Sequence, residues 1–198
     1  GSLNALGGGK EVPGRYTESG SGQTEETTTE RFYQKLRGYR DQYSDKALVD
    51  ALNASRQDSW AFLMAGGSLL VRGQIEYPGG EDPPTYIKPA NMDIVLPTYD
   101  FIRQHLASEL PKLRPADLVK TAPEHNWALA DPGHTYLVYL LYGGTATVDL
   151  SSAKKSLSGR WFDPRTGELG EAFPLEPSES VTLTAPNEQD WACLIEAS

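Results

Sequence analysis

The most regular pattern of hydrophobic and polar positions lies in the C-terminal half of the chain. Residues 136–142 form an unbroken run of aromatic, aliphatic and β-branched side chains, which is longer than a half-exposed strand requires. The pair Gly143-Gly144 follows, and residues 145–150 then alternate between apolar and polar side chains. Glycine readily adopts the positive φ angles of tight turns, so this pattern predicts a β-hairpin made of the two flanking strands.

Further strands are predicted on both sides of this hairpin. From residue 117 onward, short apolar or alternating segments are separated by residues typical of turns, at the spacing of a β-sandwich. In the turn at 163–167, Pro164 presets φ, Asp163 can accept a backbone hydrogen bond and Gly167 closes the turn. The predicted strands cover residues 117–120, 126–130, 136–141, 145–150, 158–162, 171–173, 180–184 and 191–196.

The N-terminal half shows helical periodicity instead. A helix is predicted over residues 29–43, where apolar residues recur on one side. Residues 46–65 predict either one helix or two helices that meet near Asn53, because Ser55 and Asp58 have the spacing of a capping box. The last residues of this segment are apolar all round, which indicates a helix end buried on several sides.

The order of elements in the N-terminal half is typical of a βα unit with a buried parallel strand. A strand is predicted over residues 68–77 and a further helix over 97–110. Residues 1–28 are rich in glycine and serine with almost no apolar periodicity, which predicts a flexible segment. The predicted fold class is therefore α+β, with a helical and βα segment over 29–115 and an antiparallel β-sandwich over 116–198.

The net charge of the chain argues against two classes of binding partner. The net charge of −9 and pI of about 4.8 argue against nucleic acid and against anionic membrane surfaces. No apolar run approaches the ~20 residues of a membrane span. Cys193 is the only cysteine, so no internal disulfide can form, and its apolar strand predicts a buried, unreactive thiol. The three histidines lack metal-ligand spacing, so we expect neither a metal nor another cofactor.

Three sequence blocks carry a resemblance to a known family. They are YLVYLLYGGTATVDLS at 136–151, RWFDPRTG at 160–167 and DWACLIE at 190–196. Together they resemble the C-terminal β-sandwich of a group of glycoside hydrolases, a module commonly labelled a collagen-binding domain. In those enzymes the sandwich follows an apiosidase-like (β/α)8 catalytic barrel. The resemblance extends over residues 47–198 with varying strength.

By this resemblance, the segment before the sandwich is similar to the end of such a barrel. RQDSWAFLMAGG at 56–67 is similar to the helix that leads into the last barrel strand. Residues 68–77 are similar to that strand, and residues 97–110 to the last helix. A closed barrel needs eight strands, so the resemblance implies that this chain holds only the final part of one. Its exposed strand edge would need a partner, either the rest of the barrel or a second copy of the chain.

Candidate residues for chemistry are few. Glycosidic hydrolysis normally uses two carboxylates that flank the scissile bond. In the resembling enzymes they come from earlier strands, and no such pair is found here. The catalytic residues are therefore unassigned, and this chain alone is not expected to be a competent hydrolase. Gln74, Glu76 and Tyr77 end the predicted last strand, where barrel enzymes bind substrate, so they are candidates for substrate contact. The alternative is that Glu76 is a solvated loop carboxylate.

The tryptophans offer one further candidate for sugar binding. Trp60, Trp161 and Trp191 each lie inside apolar segments, so burial in the core is the better interpretation of all three. Trp127 lies near the start of a predicted strand, and its role is left open between core packing and contact with a sugar ring.

The resemblance implies a carbohydrate-active function in which the sandwich is an accessory domain of a catalytic barrel. One alternative is a binding module without catalysis, whose ligand is a polysaccharide, an oligosaccharide or collagen. A second alternative is a structural or interaction domain that pairs through its exposed strand edge. Neither nucleic acid nor a membrane is an expected partner, and the resemblance favours an extracellular or periplasmic location.

Overall fold

The computed structural model describes residues 28–50, 55–69 and 92–197, together with short strands at 3–4, 11–12, 74–76 and 85–87. The helices are α1 (Thr29–Gln42), α2 (Arg56–Met64) and α3 (Met92–Phe101), and α3 continues into a π-helical turn (Ile102–Leu106). The strands are β1 (Leu3–Asn4), β2 (Glu11–Val12), β3 (Val49–Asp50), β4 (Ser68–Leu69), β5 (Gln74–Glu76), β6 (Thr85–Ile87), β7 (Arg114–Ala116), β8 (Asn126–Asp131), β9 (Thr135–Leu140), β10 (Thr145–Val148), β11 (Leu157–Phe162), β12 (Phe173–Leu175), β13 (Val181–Thr184) and β14 (Trp191–Ala197). Among these helices, none has the length and apolar character needed to cross a membrane.

Hydroxyl side chains cap the N-termini of two of the helices. Thr28 caps α1, and Ser55 caps α2 by accepting a hydrogen bond of 3.1 Å from the backbone N–H of Asp58. The helix predicted over 29–43 is confirmed to within one residue. Both interpretations of residues 46–65, one helix or two meeting near Asn53, are wrong, because β3 lies where the first helical residues were predicted and α2 begins only after Ser55.

The segment around α2 forms a small parallel unit. Strands β3 and β4 pair in parallel, and α2 connects them. The single strand predicted over 68–77 is wrong, since β4 belongs to this parallel pair while β5 pairs antiparallel with β6. Gly73 lies between β4 and β5 in the sequence. A glycine in the interior of a strand weakens that strand, which argues against one continuous strand here.

Helix α3 begins earlier than the sequence predicts. The predicted helix covered 97–110, whereas α3 starts at Met92 and encloses Pro97. Proline is commonest in the first turn of a helix, but it can lie further inside when one backbone hydrogen bond is given up. The π-helical turn then carries the chain to Leu106, which is fully buried.

Six strands form a central antiparallel sheet in the order β12-β11-β14-β9-β8-β7, while β10 pairs with β13 in a separate two-stranded sheet. The predicted hairpin is therefore wrong, because β9 pairs with β8 and β14 rather than with β10. Every residue of β9 is buried, so this strand needs neighbours on both edges and cover on both faces. Strand β10 buries only one face and suits the outer sheet. Gly143 and Gly144, with φ of 64° and 71°, turn the chain from one sheet to the other.

The central sheet is covered on both faces. Alternate residues of a strand point to opposite faces. Leu137 and Tyr139 of β9 join a core cluster with α1, α2 and α3, whereas Tyr136 and Val138 join a second cluster with β10 and β13. The described structure is therefore mixed helix and antiparallel sheet in three layers, and the two sheets form the predicted sandwich-like arrangement. The boundaries at 29–115 and 116–198 stay predictions.

Candidate functional site

A buried carboxylate joins helix α2 to the central sheet. Asp190 immediately precedes β14 and is 2% exposed. Its two oxygens accept hydrogen bonds from Nε and Nη2 of Arg56, at 3.0 and 2.7 Å. The hydroxyl of Tyr139, in β9, donates to the same carboxylate at 3.0 Å. One side chain therefore holds the helical layer and the sheet together.

The turn predicted at 163–167 completes this charged cluster. Asp163 accepts a hydrogen bond from the backbone N–H of Arg165 at 2.8 Å, as the sequence predicts for an Asp at the start of a turn. The guanidinium of Arg165 then pairs with Asp163 at 2.9 Å and donates to the backbone carbonyl of Asp190 at 2.7 Å. The positive charges of two guanidinium groups and the negative charges of two carboxylates thus balance each other at the junction between α2 and the central sheet.

The electrostatics of the junction favour a structural role over proton transfer. Burial raises the pKa of the Asp190 carboxyl, but the hydrogen bonds and charge of Arg56, aided by Tyr139 and Arg165, outweigh it and hold the pKa below its ordinary value. The Asp190 hydrogen bond raises the pKa of Arg56. Burial, together with the charge of Asp190, raises the pKa of Tyr139 well above its ordinary value. A carboxylate kept ionised in this way is a poor proton donor at neutral pH.

The sequence did not single out Arg56, Tyr139 or Asp190. The signal that could have found them is the presence of Arg165 and Asp190 within two of the three resemblance blocks, beside apolar strands where an unpaired charge would be costly. Their partner Arg56 lies 134 positions from Asp190, so no local pattern connects the pair.

The predicted substrate-contacting residues at the end of the last strand are only partly described. Gln74 and Glu76 lie in β5, and their backbones pair with β6. The side chains of these two residues and the whole of Tyr77 lie outside the described part of the chain. Their contact with substrate stays a prediction.

Trp127 lies on the face of the sheet that the helices cover. It belongs to β8 and is 2% exposed. Its ring stacks on that of Tyr33 in α1, with centroids 4.1 Å apart and planes at 10°. This conformation therefore offers no exposed Trp127 face on which a sugar could stack. Among the tryptophans, Trp60 is fully buried as predicted, while Trp161 and Trp191 are only partly buried.

Tyr33 and Trp127 both line a pocket of about 370 Å³. The pocket lies between α1 and the segment that leads into β8. Helix α1 contributes Tyr33, Gln34 and Arg37 to its wall. The polar residues on the opposite side are Asp117, Glu124 and Asn126. Trp127 is thus the only residue among the predicted contacts that the structure places beside a described cavity.

Within residues 28–50, 55–69 and 92–197, no group of three or more His, Cys, Asp and Glu side chains is close enough to hold a metal ion. Cys193 is fully buried, and burial raises the pKa of its thiol to about 12, which confirms the prediction of an unreactive cysteine.

Comparison with known proteins relates both halves of the chain to described families. Residues 118–196 match the family described as "Putative collagen-binding domain of a collagenase". Residues 1–77 match a domain of unknown function, DUF6298. Among curated protein sequences, none matches the chain significantly.

Solved structures show the same fold in glycoside hydrolases. One described as a glycoside hydrolase is 13% identical with a TM-score of 0.60, over 93% of this chain and 50% of that one. A glycoside hydrolase family 5 protein from Bacteroides vulgatus ATCC 8482 is 14% identical with a TM-score of 0.63, over 90% of this chain and 48% of that one. The chain therefore spans about half the length of these glycoside hydrolases and shares the fold of that half.

Proposed function

We propose that this chain is the C-terminal part of a glycoside-hydrolase-like protein, in which the sandwich is an accessory domain that braces a catalytic barrel. The fold likeness to two glycoside hydrolases over about half of their length supports this proposal. The match of residues 118–196 to a family described as a domain of a collagenase supports the accessory role. Each of these observations concerns the fold, and the activity belongs to the proposed whole protein.

The observation that carries the bracing role is the position of helix α2. From Ser59 to Ala65 every residue of this segment is buried, so it is enclosed by its neighbours on all sides. Arg56, at its first turn, is bonded to Asp190, and Trp60, one turn later, is stacked on Tyr139. The same helix connects the parallel strands β3 and β4. Any sheet that included β3 and β4 would therefore be fixed in position relative to the sandwich.

The remainder of a barrel is the partner that this arrangement suits. Strands β3 and β4 pair over two residues each, and a barrel closes only with eight strands. In the proposed whole protein, β3 and β4 join strands supplied by another part of the molecule. The catalytic carboxylates would lie on those strands, with Gln74, Glu76 and Tyr77 as contacts at the rim of the substrate cleft.

Hydrolysis of a panel of plant and bacterial glycans by the 198-residue chain tests the assignment of catalysis. We expect no turnover, because the proposed catalytic pair lies elsewhere. A full-length glycoside hydrolase of the same fold serves as the positive control. Turnover by the parent chain that disappears in Glu76→Gln would show that a catalytic pair is present here, and the proposal would be wrong.

Denaturant unfolding tests the bracing role separately. If the helical layer and the sandwich form one unit, the helix signal at 222 nm and the near-ultraviolet signal of the buried aromatic rings should change at the same denaturant concentration. Two separated transitions would mean that the helices can detach while the sandwich stays folded. Such helices could not hold a barrel in place.

A further inference from the structure

A second pocket, of about 330 Å³, lies where the C-terminal ends of α1 and α2 approach the segment that leads into β7. We call it the arginine pocket, because the charged residues in its wall are Arg40 and Arg114. The rest of the wall is mostly apolar and includes the leucines Leu48, Leu63, Leu110, Leu113 and Leu129. The pocket is therefore positively charged, although the whole chain has a net charge of −9.

Carbonyl oxygens hold both guanidinium groups in place. Nη1 of Arg40 donates to the backbone carbonyl of Lys46 at 2.6 Å. Nη1 of Arg114 donates to the carbonyls of Pro111 and Leu113, at 2.7 and 2.8 Å. A carbonyl oxygen carries no net charge, so these bonds orient the two cations without cancelling their charge. The remaining N–H donors of each guanidinium are left for a ligand.

The carboxylates that lie nearest to these arginines in the sequence pair with other basic residues. Asp41 and Asp117 pair with Arg37, Asp45 with Lys46, and Glu109 with Lys112. Charges further away count for little, because physiological salt screens exposed charges beyond about 8 Å. Within the described ranges, the charge of the arginine pocket is thus not neutralised by the chain itself.

A ligand in the pocket can reach both guanidinium groups. Arg114 is exposed and Arg40 is half-buried. The Nε of Arg40 lies against the turn that ends α2, since a Cβ added to Gly66 would be only 3.1 Å from it. Gly66 also has a φ of 82°, which glycine adopts without strain. This turn therefore fixes the position of Arg40 at the pocket.

The walls suit a carboxylate that is attached to an apolar body. A planar guanidinium presents parallel N–H donors that match the two oxygens of a carboxylate. The leucines favour a hydrocarbon part in the ligand, because the burial of apolar surface is favourable. A small hydrated anion such as phosphate would lose water there without gaining apolar contact. The volume of about 330 Å³ lies in the range of small-molecule sites.

We propose that the arginine pocket binds an organic carboxylate, whose oxygens accept hydrogen bonds from Arg40 and Arg114 and whose apolar body packs on the leucines. The inference goes beyond the bracing role, because it assigns a small-molecule site to the chain. It stands on the pocket itself, whether or not the chain braces a barrel.

Titration of the ¹⁵N-labelled 198-residue chain with benzoate, phenylacetate and hexanoate tests the site. We expect at least one of these acids to shift the amide signals of Gly66, Gly67 and Ser68 saturably, since all three residues line the pocket. The amide signal of Gly143, at the turn between the two sheets, should stay in place. If none of the acids shifts the pocket signals of the folded chain, the proposal is overturned.

Uncharged and inorganic probes separate the two parts of the ligand. Benzamide, phenylacetamide and hexanamide keep the apolar bodies without the charge, whereas inorganic phosphate keeps the charge without an apolar body. We expect each amide to bind about tenfold more weakly than its acid, because hydrogen bonds to an ionised group are the stronger ones. Equal binding of the acids and their amides would overturn the role of the arginines. Tighter binding of phosphate than of every acid would overturn the apolar body.

Two variants assign the contact to the proposed residues. Arg40→Gln and Arg114→Gln each remove one guanidinium, and we expect each to weaken binding of the acids about tenfold, as for one lost charge-assisted hydrogen bond. Arg103→Gln is the matched control and should bind like the parent chain, because Arg103 pairs with Asp100 on the surface. Circular dichroism checks the fold of each variant. Arg114 is exposed, so its variant still decides the matter should Arg40→Gln fail to fold. Unchanged affinity in Arg114→Gln would contradict the assignment.

Discussion

The indole ring of Trp60 lies parallel to the phenol ring of Tyr139, with centroids 4.9 Å apart and planes only 2° from parallel. Trp60 belongs to α2 and Tyr139 to the centre of the sheet, and both are fully buried. Phe101 and Phe162 also lie within about 6 Å of the indole ring. This aromatic cluster is part of the apolar core between the helical layer and the sheet.

Truncating this contact should strongly destabilise the fold. We expect Trp60→Ala to lower the free energy of unfolding by ~3–5 kcal/mol, since a large buried ring is lost and its cavity cannot fully collapse. Ile94→Ala, at a helical residue that is 49% exposed, is the control and should change stability by less than ~0.5 kcal/mol. Urea unfolding followed by circular dichroism measures both. A small effect of Trp60→Ala would mean that the helical layer contributes little to stability.

The Arg56–Asp190 pair should contribute far more than an exposed ion pair. Arg56→Gln leaves a buried carboxylate with Arg165 as its remaining cation, so we expect a loss of ~3 kcal/mol, the lower end for breaking a buried pair. Arg103→Gln is the matched control, because Arg103 pairs with Asp100 at 2.9 Å on the surface. Its loss should be ~0.5 kcal/mol or less. Similar losses in the two variants at neutral pH would contradict this interpretation.

The contribution of Asp190 should depend on pH with a defined sign. Its pKa is held below the ordinary carboxyl value in the folded state, so its ionised form stabilises the fold. That contribution is present above about pH 4, where an unfolded Asp is ionised, and is lost as the pH falls through the folded pKa. The stability difference between the parent chain and Arg56→Gln should therefore narrow on acidification below about pH 4. A difference that stays constant or widens would show that Asp190 is not the titrating partner.

Gly143 and Gly144 form a matched pair for testing the turn between the sheets. Both have positive φ, so alanine at either position should cost ~1–2 kcal/mol of stability. At Gly143 an added Cβ would also overlap the carbonyl oxygen of Asn187, whereas at Gly144 the nearest atom is a flexible Glu188 carboxylate oxygen at 3.5 Å. Gly143→Ala should therefore lose a further ~1–3 kcal/mol. Thermal unfolding of the two variants decides this, and equal losses would place Asn187 away from the turn.

Cys193 should react only when the protein unfolds. Its thiol is fully buried in β14, and burial raises its pKa to about 12, so almost no thiolate forms at neutral pH. We expect no labelling by a disulfide reagent such as dithionitrobenzoate under native conditions and complete labelling in denaturant. Rapid stoichiometric labelling of the native chain would require β14 to open readily.

The local features of this fold were predictable from the sequence, and the long-range ones were not. The Ser55 cap, the turn at 163–167 and most strand positions depend on neighbouring residues, so sequence spacing was enough to find them. The apolar run at 136–142 is longer than a half-exposed strand requires, and residues 136–141 are indeed buried, whereas Tyr142 is 48% exposed. The run could not identify the strands beside it, because one of them, β14, lies some fifty positions later, and the glycine pair suggested a hairpin instead.

The candidate site shows the same division. Trp127 could be noted as a candidate because it stands at the start of a strand, but its partner Tyr33 comes from a helix more than ninety positions earlier. The polar groups around it form a pocket only when α1 packs on β8. These groups come together only in the tertiary structure, so the periodicity of either segment could not predict the pocket.

The place of β14 between β9 and β11 has a consequence for synthesis on the ribosome. As the nascent chain emerges, β9 can pair with β8 at once, but its other edge stays open until residues 191–197 have left the exit tunnel. An apolar strand with an unpaired edge is prone to pair with other chains. A chain halted before Trp191 should therefore recruit chaperones or aggregate.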